Sequence, residues 1–277
     1  MSQSTIKTMP VWKWALLLAL SLALAMLMYT IFQVLYFAFT EDQWIPLLVG
    51  LVAPVCMIGL YALFVRWFEK HWAQDIPLRR LAQDTAKGFG IGLGFFVIVV
   101  LVMMLLGLYH IDSIGTDKPL DVLSAFFMFL LVGTGEEIMF RGVLFRWIDE
   151  KWGFMAALIV SSLLFGFMHY FGPVATLWSS LAIAVEAGLL LGAAYKYAGT
   201  LWLPIGIHWA WNFTQGNVFG FEVSGNDAGV SLLKASVSGS DWLTGGAFGA
   251  EASVITVMIG FILSAWFIWK VIQRKAW

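Results

Sequence analysis

A chain of 277 residues that is 61% hydrophobic and only 12% charged is no ordinary soluble domain, which carries about a quarter charged residues. Its mean hydropathy of +0.85 and its recurring apolar runs, each about 18 residues or more, mark a polytopic membrane protein. A net charge of −1 argues against nucleic-acid binding, which needs a basic patch, and the single cysteine, Cys56, excludes an intramolecular disulfide or a thiolate metal site.

An all-α fold is expected, a single membrane domain over 1–277 with eight spans at about 12–39, 44–65, 88–109, 121–147, 153–172, 176–195, 201–221 and 252–271. The first run contains Ala23-Leu24-Ala25, which faintly resembles a signal-peptidase site. Hydrophobicity continues well beyond it, past the length of a signal h-region, so an uncleaved first span is expected. Of the sixteen Lys and Arg, Lys7, Lys13, Arg66, Lys70, Arg79, Arg80, Lys87, Arg146, Lys151, Lys196, Lys270, Arg274 and Lys275 fall on the side of the N-terminus. Lys118 and Lys234 fall on the other side, and Arg141 lies inside a span. By the positive-inside rule both termini face the cytoplasm, with a bacterial plasma membrane as the expected location.

The third span opens Gly88-x-Gly90-x-Gly92-x-Gly94. No strand precedes it, so a dinucleotide loop is a poor reading; small residues four apart suit close helix packing instead. Gly188 and Gly192 read the same way. Trp12, Trp44, Trp147 and Trp152 sit near span ends, as interfacial anchors do. The stretch 222–251 is rich in Gly, Ser and polar residues, and reads as a mobile external loop, either a lid or a connector.

Chemistry concentrates in three short patterns. Glu136 and Glu137 follow an uncharged run, with Arg141 four residues after the second. Charge at bilayer depth costs a few kcal/mol and is seldom kept without a partner or a task. Four-residue spacing stacks side chains on one helix face, so Glu137 pairs with Arg141, acid N-terminal, while Glu136 is turned about 100° away without a local partner. Phe165-x-x-x-His169 and His208-x-x-x-Asn212 repeat the spacing in later spans. A carboxylate with an imidazole can take a proton from water and pass it to a leaving amine. A second imidazole and a carboxamide can donate to an oxyanion. Glu186 is a further intramembrane carboxylate, read as hydrogen-bonded within the bundle, and His71 and His110 lie in predicted loops as solvated groups.

Glu136-Glu137-Ile-Met-Phe-Arg141, Phe165-Gly-Phe-Met-His169 and His208-Trp-Ala-Trp-Asn212 resemble the EExxxR, FxxxH and HxxxN motifs of the CPBP family, the CAAX-type prenyl proteases and bacteriocin-processing or immunity proteins. Gly188-x-x-x-Gly192 and the approach Gly199-Thr-Leu-Trp-Leu-Pro204 add to the likeness, which covers a catalytic core at about 120–215. The resemblance implies an intramembrane endopeptidase in which Glu136 and His169 activate water, His208 and Asn212 form the oxyanion hole, and Glu137 and Arg141 support the site. Its partners would be membrane lipids and a peptide or protein substrate, lipidated in the CAAX case. No cofactor is required on this reading. Zinc is the alternative, held by Glu136, His169 and His208, although the zincin H-E-x-x-H pattern is absent and asparagine is a poor zinc ligand. Two rivals stay open: a proton-coupled transporter, since midplane carboxylates and histidines also form ion relays, and a non-catalytic scaffold that uses the same polar cluster to bind a partner.

Overall fold

The computed structural model describes residues 3–275 except 40, 41 and 43. The chain is helical almost throughout. A short α1 (Gln3–Thr8) leads into α2 (Val11–Phe37), α3 (Ile45–Phe64, extended by a wide turn over Val65–Glu69) and α4 (Leu81–Leu105). Next come α5 (Pro119–Glu137), a π-helical stretch Ile138–Phe145 and α6 (Arg146–Trp152), which together form one continuous rod. The remainder is α7 (Phe154–His169), α8 (Leu177–Ile183) with α9 (Leu189–Ala198), α10 (Trp202–Phe213), the short α11 (Asp241–Thr244) and α12 (Val254–Lys275).

Six of these helical rods are long and apolar enough to cross a membrane. The two other expected spans are present as helices but fall short: α7 has 16 residues and α10 has 12. α10 is buried along nearly its whole length, whereas α7 packs one face on the bundle and leaves Met155, Ile159, Leu163 and Phe167 exposed on the other. Burial on all sides frees α10 from matching the bilayer thickness, because protein rather than lipid covers its ends. The third rod also differs from expectation. It begins ten residues earlier, at Leu78, and ends at Leu105, and Tyr109 belongs to β1 (Tyr109–Ile114), paired antiparallel with β2 (Leu233–Val237).

The glycine run behaves as packing on one face only. A Cβ at Gly88 would lie 2.2 Å from the Leu203 carbonyl oxygen, and one at Gly92 2.3 Å from that of Ile207. Gly206 on α10 answers them from the other side, 2.3 Å from the Thr85 oxygen. Gly90 and Gly94 meet nothing within 4 Å. The α4–α10 seam is therefore a backbone-to-backbone contact built from alternate glycines, and it holds α10 at the centre of the bundle. Gly188 and Gly192 pack as expected, against Ser162 and Leu158 of α7.

Trp12, Trp44 and Trp152 are exposed near helix ends, but Trp147 is not an interfacial anchor. It is buried, and its indole N–H donates to Glu69 Oε1 at 3.1 Å. His71, expected to be solvated, pairs with the same Glu69 at 3.2 Å.

The segment after α10 is folded rather than a loose connector. Besides β2 it contains buried Phe221, Val223, Phe248, Ala250 and Glu251. Residues 222–226 are tied to 248–251 by the Gly225 N–H to Phe248 carbonyl bond and by Ser224, whose N–H and hydroxyl both donate to Glu251 Oε1 at 2.8 and 2.6 Å.

Candidate functional site

The α5 rod leaves α geometry immediately after Glu137, and the next eight residues are π-helical. Such widened turns recur at functional sites because they trade ladder regularity for side-chain placement. Two more follow the same logic: Ala184–Gly188 between α8 and α9, and Thr214–Val218 after Asn212.

Glu137 and Arg141 pair at 2.8 Å, both with fully buried side chains. Arg141 also donates to the carbonyls of Ala187 and Gly188 at 3.4 and 3.2 Å, and its guanidinium lies 4.7 Å over the Phe165 ring. The pair therefore does more than stiffen its own helix. Glu137 Oε1 also accepts from His208 Nδ1 at 2.9 Å, so Arg141, Glu137 and His208 form one chain of contacts across two helices. That bond commits Nδ1–H of His208 to Glu137 and turns Nε2 toward Glu136, 3.8 Å from its Oε2.

Glu136 is the carboxylate with spare capacity. Its Oε1 accepts from the Tyr29 hydroxyl at 3.1 Å, and Tyr29 in turn accepts from Gln33 Nε2 at 2.6 Å. Its Oε2 is buried and has no hydrogen-bond partner among the described residues. Tyr29 reaches it because residue 135 is glycine: a Cβ there would stand 2.3 Å from the tyrosine ring. Neither Tyr29 nor Gln33 is expected from the motifs. The available signal was a polar pair spaced four apart in the otherwise apolar α2.

His169 closes α7. Its Nδ1–H donates to the Phe165 carbonyl at 2.8 Å, which leaves Nε2 as the acceptor of the neutral ring. Phe165 is the shared wall, with its ring centroid 4.8 Å from that of His169 and 6.1 Å from that of His208. Glu136, His169, His208 and Asn212 all line one cavity of about 620 Å³. Tyr29, Gln33 and Phe37 of α2 contribute to it, as do Ser224, Asp227 and Glu251 from the folded segment after α10. The stretch 222–251 thus supplies part of the wall.

Among the described residues, no three His, Cys, Asp or Glu side chains converge as a cation site requires. Glu136, His169 and His208 line the same cavity, each histidine with its Nδ1 engaged and its Nε2 without a hydrogen bond among the described residues. Glu186 stands apart. It does not line the cavity, and neither of its carboxylate oxygens has a hydrogen-bond partner among the described residues, contrary to its expected bonding within the bundle.

Residues 118–214 match the family model described as Rce1-like, type II CAAX prenyl endopeptidase. The match contains every motif residue from Glu136 to Asn212 and leaves Tyr29, Gln33 and Glu251 outside it. No curated protein and no solved structure matched the chain.

Proposed function

On the premise that this integral membrane chain carries a CAAX-type peptidase domain over 118–214, we propose that Glu136 Oε2 is the general base of an intramembrane endopeptidase. The observation that carries the reading is the asymmetry of that carboxylate. One oxygen is held by Tyr29, and the other is bare, faces His208 Nε2 and lies in a cavity lined by His169 and Asn212.

Water bound between Glu136 Oε2 and His169 Nε2 gives up a proton to the carboxylate as its oxygen attacks the peptide carbonyl. The oxyanion forms against the Asn212 carboxamide N–H and the His208 Nε2–H, with the charge on His208 balanced by Glu137. Glu136 then returns the proton to the leaving amine, which closes the cycle with no net proton change. Arg141 holds Glu137 in place through their ion pair. The reading routes no step through a metal. It places the catalytic core at 120–215, both termini in the cytoplasm of a bacterial cell, and either CAAX-type processing of a lipidated peptide or bacteriocin immunity as the outlet.

Purified protein in detergent should cleave peptides, and Glu136→Gln and His169→Ala should lose turnover while keeping the wild-type melting profile. A transporter or an idle scaffold would show no cleavage in any of the three. Undiminished turnover in Glu136→Gln would remove that carboxylate from the mechanism.

A further inference from the structure

The cavity belongs to one end of the bundle. It is lined by Phe37 at the end of α2, Asp121 at the start of α5, His169 at the end of α7, and Ser224, Asp227 and Glu251 from the segment that leads into α12. The opposite helix ends carry the basic residues. Lys13 opens α2, Arg66 and Lys70 follow α3, Arg79 and Arg80 precede α4, Lys151 ends α6, Lys196 ends α9 and Arg274 ends α12. Helix ends bearing excess Lys and Arg stay on the cytoplasmic side during insertion. The mouth of the cavity is at the other face.

The charge at that mouth is of one sign. Asp121 and Asp227 are exposed and line the cavity, Glu136 and Glu251 lie deeper, and no Lys or Arg is among its lining residues. A cleft walled by low-dielectric helices focuses such a field and concentrates ligands of opposite charge. A peptide's free C-terminal carboxylate would meet no lysine or arginine at this rim, whereas a lysine or arginine flanking an internal bond would meet two accessible carboxylates.

We propose, resting on the hydrolase reading above, that the cavity accepts a cationic polypeptide segment presented at the extracytoplasmic face. Exposed Ser238 lies in the segment after α10, and exposed Gln83 lies at the basic end of α4. In a Cys56→Ser background, Ser238→Cys should react with a membrane-impermeant maleimide in intact cells, and Gln83→Cys only after permeabilisation. The reverse pattern overturns the sidedness. With purified protein, two quenched peptides differing only in Lys against Glu beside the scissile bond should differ in kcat/KM by about fivefold at low salt, the size expected of two solvent-exposed pairs. High salt should shrink that ratio, and so should Asp121→Asn with Asp227→Asn. Equal cleavage of both peptides overturns the charge preference. Cleavage of neither peptide fells the hydrolase reading and the charge preference with it, while the labelling result still decides the face.

Discussion

Two glutamates of the membrane rods, Glu69 at the end of one and Glu136 midway along another, show how a carboxylate is made structural or reactive. Glu69 is saturated. Arg146 Nη1 donates to its Oε2 at 2.6 Å, Trp147 to its Oε1 at 3.1 Å, and His71 adds a contact at 3.2 Å. Nearby Asp75 is likewise held, by the hydroxyls of Tyr61 and Tyr195 at 2.7 and 3.1 Å. Glu136 has one neutral donor on one oxygen and no hydrogen bond on the other, which lies 3.8 Å from His208 Nε2. Both are glutamates within the apolar rods, so residue type does not separate them. What separates them is unfilled hydrogen-bonding capacity facing a cavity. Leaving a buried polar atom unpaired costs about 1–3 kcal/mol, a cost that makes sense where a reactant will supply the missing partner.

Exchanging the two glutamates for glutamine breaks this comparison most sharply. Glu136→Gln should lower kcat by about a thousandfold or more, as loss of a general base together with its proton return does, with little change in thermal unfolding. Glu69→Gln should do the opposite. It leaves Arg146, mostly buried, with only Glu150 at 3.7 Å as counter-charge, which costs up to about 3 kcal/mol of stability, while kcat/KM stays within about twofold, below the 1.4 kcal/mol of a tenfold effect. A Glu69→Gln protein that melts like wild type but has lost activity would reverse the assignment.

Arg141→Met probes the chain that joins both kinds of carboxylate. Glu137 would be left buried with only His208 beside it, at a cost of about 3–5 kcal/mol. Melting and turnover should fall together, unlike either glutamate exchange. A smaller and purely kinetic effect belongs to Tyr29. Tyr29→Phe keeps the ring over Gly135 and removes the donor to Glu136. One lost hydrogen bond to a charged group implies about a tenfold drop in kcat with KM unchanged. Gly135→Ala, which drives a methyl group into the ring, should reproduce that loss. A Tyr29→Phe enzyme with wild-type kcat would leave Glu136 independent of α2.

The parts of this site legible from sequence are those that repeat every four residues. Glu137 and Arg141, Phe165 and His169, and His208 and Asn212 each share a helix face, and an isolated helix is enough to see it. Contacts between helices were not legible. Tyr29 meets Glu136 across 107 positions, and His208 meets Glu137 across 71. Nothing in local periodicity encodes such pairings. The glycine run shows the same limit: its spacing identified a packing surface, but only the position of α10 explains why Gly88 and Gly92 touch a neighbour and Gly90 and Gly94 do not. The lengths of α7 and α10 were equally hidden: α10 is apolar because protein surrounds it, α7 keeps one apolar face exposed, and both are shorter than the six longer rods. The stretch 222–251 looked like a loop because its few buried residues, Glu251 among them, form no periodic pattern.

Glu251 supplies the gentlest test, because this buried glutamate lies between the two extremes. Both donors of Ser224 satisfy one of its oxygens, yet it also lines the cavity. Burial pushes its carboxyl above the usual glutamate range, against the pull of the hydrogen bonds from Ser224 and Gln215. His169 of α7 and Glu186 of the 184–188 turn are the titratable groups that act with it. A carboxyl that holds its proton more tightly when folded contributes stability at low pH, and that contribution is lost as pH climbs through the raised value. Glutamine imitates the protonated form and still offers an oxygen to Ser224. Glu251→Gln should therefore melt with wild type at low pH and exceed it by on the order of 2 °C once pH passes the raised range. A variant that instead falls below wild type as pH rises would mean that the ionised carboxylate is the stabilising form. Glu251 would then resemble Glu69, held by its partners, rather than Glu136.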